Sequence, residues 1–222
     1  MKMKKSKIFG TLALVFACLG IAMLMVTPKY LKYKSGKVKN LNDENLVLEK
    51  GDLVEGTVEY CWGWAVEEYE TKFGIRTSSD SSRRFYAIEL DKGTLVLYST
   101  ASSSDFSTLD RITEETGDFY ESAYDYADSG DLDDLVLPTT TLQIQGTVSS
   151  MESDVRDLFK EWYDDDQYFD SDTETLVITH SAFDRLFLSV IIGAAGVVLA
   201  ILFLIIMLVS RKKEKYNEQF GY

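Results

Sequence analysis

The chain has one histidine, two cysteines and two prolines among 222 residues, and each scarcity narrows what it can do. Any Ser-His-Asp or Cys-His nucleophilic site would have to use His180. That residue lies between Thr179 and Ser181, just before an apolar run, where an interfacial polar side chain is the plainer reading. One histidine, and one cysteine outside the apolar runs, leave too few nitrogen and sulfur ligands for the usual zinc sites. Cys18 falls inside an apolar run and Cys61 outside it, so the two cannot pair, and a disulfide-stapled scaffold is excluded. The stretch between the apolar runs has no Asn-x-Ser/Thr acceptor, and no glycine-rich phosphate loop is present. The expectation is a non-enzymatic protein with no cofactor.

What is abundant is segregated. Ile8 to Val26 and Leu186 to Val209 are almost wholly apolar and carry no charge. At 1.5 Å per residue they span about 28 and about 36 Å as helices, against a bilayer core of about 30 Å. Both read as transmembrane helices. The first also resembles a cleavable signal, with Lys2, Lys4, Lys5 and Lys7 ahead of it and a small-x-small site at Gly20-Ile21-Ala22. The apolar run continues past that site through Met23 to Val26, which favours a retained helix. Four lysines precede the first run, and Arg211, Lys212, Lys213 and Lys215 follow the second. By the positive-inside rule both termini are cytoplasmic and the intervening domain is extracellular, at the cell membrane. Lys29, Lys32, Lys34, Lys37 and Lys39 on the outer side oppose that assignment, but long domains translocate largely regardless of charge. These lysines are placed to meet membrane lipid headgroups.

Residues 27 to 185 hold 15 Lys and Arg against 34 Asp and Glu, a net charge of −19. Such a surface repels nucleic acid and suits cations, basic partners or solubility alone. The layout divides into a basic tail 1–7, helix 8–26, a basic juxtamembrane stalk 27–44, an acidic domain 45–180, helix 181–209 and a basic tail 210–222.

Within the domain, Val54, Gly56, Val58, Tyr60 and Trp62 alternate with polar residues and predict a strand over 52–62, with Cys61 on its polar side. Residues 63 to 82 read as a loop. Arg83–Leu90 and Thr94–Thr100 form a hairpin through Asp91-Lys92-Gly93. A helix follows over about 105–129, then a strand over 139–148. Ser149 with Glu152 reads as a capping box opening a second helix, with Met151, Val155, Leu158, Phe159 and Trp162 as its apolar stripe. Thr175–Thr179 is a last strand. The expected fold is α+β: an antiparallel sheet of about five strands with two helices, held between the two transmembrane helices. The triplet Gly-Thr-Val occurs at Gly56 and Gly146, too short to count as a repeat.

The acidic run from Asp164 to Glu174 is the best metal candidate, through Asp164, Asp166, Asp170 and Asp172. It lacks the glycine and the glutamate that an EF-hand needs, so weak divalent-cation binding stands beside a solvated loop. Tyr120, Tyr124, Tyr126, Trp162, Tyr163, Tyr168 and Phe169 lie near carboxylates, suited to core packing, to stacking on sugars or to anchoring a protein. In the apolar runs, Gly10, Ala13, Ala17 and Gly20 share one helix face and Ser189, Gly193, Gly196 and Ala200 another. Small residues let helix backbones approach in lipid. The two faces are expected to pack on each other, with self-association through one of them as the alternative.

Gly51-Asp52-Leu53-Val54-Glu55-Gly56-Thr57-Val58, Arg84-Phe85-Tyr86-Ala87-Ile88-Glu89-Leu90 and the closing helix with its basic tail give a layout that resembles uncharacterised two-span membrane proteins of Gram-positive bacteria. The resemblance implies an envelope compartment and no site residues. Three functions are weighed: an anchored domain binding a protein partner or ligand, an envelope sensor of divalent cations or wall components, and a hydrolase built on scattered carboxylates.

Overall fold

The computed structural model describes residues 5–72, 75–76, 81–90, 93–129, 135–162 and 175–221. In chain order the elements are α1 (Lys5–Leu24), α2 (Thr27–Lys34), β1 (Val38–Asn40), β2 (Leu53–Val58), β3 (Cys61–Glu68), β4 (Thr71–Lys72), β5 (Ile75–Arg76), β6 (Arg83–Glu89), β7 (Leu95–Thr100), α3 (Ser103–Ser129), β8 (Leu142–Ser150), α4 (Ser153–Trp162), β9 (Leu176–His180) and α5 (Asp184–Phe220). They form two compact units, Met1–Gly36 with Ala182–Tyr222, and Lys37–Ser181. The second begins ahead of residue 45, because β1 joins the sheet and so draws residues 38–40 out of the expected stalk.

The helical unit pairs α1 with α5. Lys5–Lys34 and Arg185–Phe220 are long and apolar enough to cross a membrane. Pro28 lies in the first turn of α2, where a missing N–H is tolerated, and α1 ends just before it. The 37 residues of α5 make a rod of about 55 Å, so the helix runs on through the basic segment to Phe220.

The sheet unit corrects the expected count and direction. Seven strands run in the order β1-β2-β8-β9-β7-β6-β3, and β4-β5 make a separate small hairpin. The pairs β1–β2 and β7–β9 are parallel and the others antiparallel, so the sheet is mixed. Strands β2 and β3 lie far apart in this order, yet only Glu59 and Tyr60 separate them. The sheet therefore curls, with the β2–β3 segment turning its corner. At that turn the residue phase flips. Cys61 faces the core and is buried, contrary to the alternation read from sequence, while Trp62 points out.

Both faces of the sheet are covered in part. On one, Leu109 and Ile112 of α3 pack on Tyr86, Ile88, Val96, Tyr98, Ile144 and Ile178. On the other, Val155 and Phe159 of α4 pack on Phe85, Ala87, Leu97 and Val177. Strands β6 and β7 are buried on both sides, which explains their unbroken apolar runs. The second helix starts at Ser153 rather than Ser149, because Ser149 and Ser150 still pair with β9. The two Gly-Thr-Val glycines serve close packing. A Cβ at Gly146 would run into Ile178 Cγ2 and lie 2.9 Å from the Thr179 carbonyl oxygen, and one at Gly56 would lie 2.7 Å from Leu41 Cβ.

A tryptophan-lined candidate binding groove

The segment expected as a loop from residue 63 contains the edge strand β3, and its irregularity is why periodicity missed it. From Cys61 to Trp64, three steps on β3 meet two on β6 (Ile88 to Tyr86); from Trp64 to Val66, two meet one. Each mismatch is a β-bulge, a device that re-aims side chains at sheet edges. Gly63 sits at the first bulge with φ +104°, a conformation that side chains with a Cβ rarely adopt.

The bulged strand presents Trp62 and Trp64, exposed by 40% and 45%. Trp162, at the end of α4, is 38% exposed. These are all three tryptophans of the chain, and with Gly63, Asp110 and Thr113 they line one groove of about 310 Å³. Three elements thus meet at one sheet edge: β3, α3 through Asp110 and Thr113 one turn apart, and α4.

The walls are fixed from behind. The Trp62 indole N–H donates to Glu89 Oε2 at 2.8 Å, and its ring lies 4.8 Å from that of Tyr120. The Arg84 guanidinium lies 5.6 Å from the Trp64 ring centroid and 4.9 Å from that of Phe106. Arg84 pairs through Nε with Glu67 at 2.6 Å and through Nη1 with Asp110 at 3.1 Å. The Tyr86 hydroxyl donates to the other Asp110 oxygen at 2.7 Å, and burial above all holds that phenol protonated. Trp162 stacks on Phe159 at 6.1 Å. Sequence reading placed Trp62 and Trp162 in apolar stripes and passed over Trp64. The pattern Cys-Trp-Gly-Trp, with glycine between two large rings, was the available signal for a bulge.

A second polar cluster surrounds His180. Its Nδ1 lies 2.7 Å from the Tyr98 hydroxyl and 3.7 Å from Asp105 Oδ2, which accepts from Thr100 Oγ1 at 2.9 Å. Tyr98 is fully enclosed, and burial together with the Asp105 charge raises its pKa. These groups tie β9 and β7 to the start of α3. Cys61 is similarly enclosed, and burial pushes its thiol up to about 11, which makes it a poor nucleophile.

Asp164, Asp166, Asp170 and Asp172 lie outside the described residues, as do Tyr163, Tyr168 and Phe169. Among the described residues no group of three or more His, Cys, Asp or Glu side chains is placed to hold a metal ion. In the helical unit, a Cβ at Gly20 would lie 2.8 Å from Val197 N and 3.0 Å from the Gly193 carbonyl oxygen; one at Gly196 would lie 3.1 Å from Gly20 Cα. Gly10 meets Met207. Ala13, Ala17 and Ala200 line an apolar groove of about 420 Å³ beside this contact. The Ser189 hydroxyl bonds within its own helix, to the Arg185 carbonyl at 3.3 Å. Glu214 of α5 accepts from the Ser6 amide and hydroxyl at 3.2 and 2.6 Å, so the two helices run antiparallel.

No curated protein and no solved structure matches the chain. Residues 1–211 match the family described as Domain of unknown function (DUF8577), and the chain belongs to that family.

Proposed function

We propose that this chain is a membrane-anchored binding protein of a bacterial cell envelope, of the Gram-positive type its layout resembles. In this reading α1 and α5 span the cell membrane, both termini are cytoplasmic, and the sheet unit is displayed on the outer side. The basic residues ahead of α1 and at the end of α5 support the orientation. The sheet unit acts by binding rather than by catalysis, and its contact surface is the tryptophan groove.

The observation that carries the reading is the convergence of all three tryptophans, each over a third exposed, at one bulged edge. Large exposed rings are unfavourable in water, and partner contacts concentrate on such residues. Gentle solubilisation of the tagged chain from native membranes, beside a Trp64→Ala variant, tests it. A stoichiometric component retained by the parent and lost by the variant is expected. A component held equally by both, or none, contradicts the groove as the contact surface.

A further inference from the structure

We infer that the groove takes a small organic cation, an alkylammonium group held against the indole faces. The inference rests on the groove being the contact surface proposed above and adds the chemistry of its ligand.

The electrostatic field favours a cation. Among the described residues, Glu67, Asp110 and Glu89 touch groups that form or back the walls, beside the guanidinium of Arg84. The surrounding stretch from residue 27 to 185 carries a net −19. Both local and long-range potentials attract cations and repel anions. The rings favour one as well. Indole is the best of the aromatic faces for a cation within about 6 Å of its centroid. Arg84 already sits at 5.6 Å over Trp64 and 4.9 Å over Phe106, so the protein solves the same recognition problem with its own side chain here.

Hydrogen-bonding demand separates a cation from a neutral sugar, another ligand that stacks on tryptophan. A sugar brings many hydroxyls that need partners on entering a groove. Three of the polar groups here already have partners. Asp110 accepts from Tyr86 at one oxygen and from Arg84 at the other. The Thr113 hydroxyl donates to the Leu109 carbonyl at 2.9 Å. The Trp62 N–H is held by Glu89. A quaternary ammonium has no N–H to satisfy and asks only for apolar contact and negative potential, which this groove supplies.

The test uses the full chain in detergent micelles with tetramethylammonium chloride as the probe and sodium chloride at equal ionic strength as the control. Every tryptophan of the chain lines the groove, so intrinsic indole fluorescence reports on this site and no other. A saturable change with tetramethylammonium, absent with sodium, is expected. Trp64→Ala should weaken it about tenfold, and Trp64→Phe, which keeps an aromatic face, by no more than about threefold. Thermal melts of both variants confirm that they fold. A change that sodium reproduces, or that both variants keep in full, overturns the cation. A response to N-acetylglucosamine, or to a lysine-bearing peptide, without one to tetramethylammonium overturns it too, while leaving the groove as a binding surface. No response to any of the three overturns the cation too, and the groove reading falls with it if Trp64→Ala retains the co-purifying component as the parent does.

Discussion

Two glycines of the sheet unit should respond to the same substitution with opposite signs. Gly63 holds the bulge of β3 at φ +104°, and a Cβ there would meet nothing closer than Thr113 Cγ2 at 3.6 Å. Space is therefore no obstacle; the backbone conformation is. An L-residue forced into that region costs about 1–2 kcal/mol. Gly117 lies mid-helix in α3, exposed, with nothing within 4 Å of an added Cβ. Alanine there removes unfolded-state freedom and gains about 0.5–1 kcal/mol. For a unit of this size 1 kcal/mol moves the melting temperature by roughly 2–4 °C. Gly63→Ala should thus melt about 2–8 °C below the parent and Gly117→Ala about 1–4 °C above it, followed by circular dichroism of the full chain in micelles. The Gly63 variant should also lose affinity at the groove, because its bulge sets where Trp62 and Trp64 stand. A Gly63→Ala protein as stable as the parent would refute the strained bulge as the device that builds the groove.

Three more outcomes follow from the packing. Gly146→Ala drives a methyl into Ile178 and the Thr179 carbonyl, an overpacking worth about 1–3 kcal/mol; chemical denaturation should show a lower midpoint with an unchanged slope. Glu115 accepts from the Thr140 hydroxyl and from the Thr140 and Thr139 amides, which with Arg111 lower its pKa from 4.5 to about 2. Its contribution is complete above pH 4.5 and is lost as pH falls from there through 2, so the gap in melting temperature between the parent and Glu115→Gln should close across that window. Gly20→Leu places side-chain atoms where Val197 and Gly193 backbone already lies, and should abolish a cross-link engineered between Ser6→Cys and Glu214→Cys that the otherwise unchanged chain forms.

The parts of the fold that sequence disclosed are those where one physical pattern governed each residue. The apolar runs stood out by length, α3 by helical spacing, and β8 by clean alternation of Ile144, Gly146 and Val148 against Gln143, Gln145 and Thr147. What escaped was set by tertiary context. Strand β1 is three residues in a lysine-rich stretch, and only its parallel pairing with β2 defines it. Strand β3 breaks the period twice, so Cys61 took the wrong face and the two tryptophans never registered as neighbours. The groove joins residues 62, 64, 110, 113 and 162, and no local signal connects α3 and α4 to that edge. Lys39, read as a headgroup contact, instead pairs with the buried Asp52 at 2.6 Å, a partner thirteen positions away.

The central claim is that the sheet unit is displayed on the outer side with both chain ends inside. The native cysteines favour a direct test, because Cys61 is buried with a raised pKa and Cys18 lies within the apolar run of α1. Single cysteines at exposed Glu59 and exposed Lys213 can be offered a membrane-impermeant maleimide on intact cells. Labelling at Glu59→Cys and none at Lys213→Cys until the cells are opened is the predicted result; labelling at Lys213→Cys on intact cells, with Glu59→Cys protected, would contradict the account.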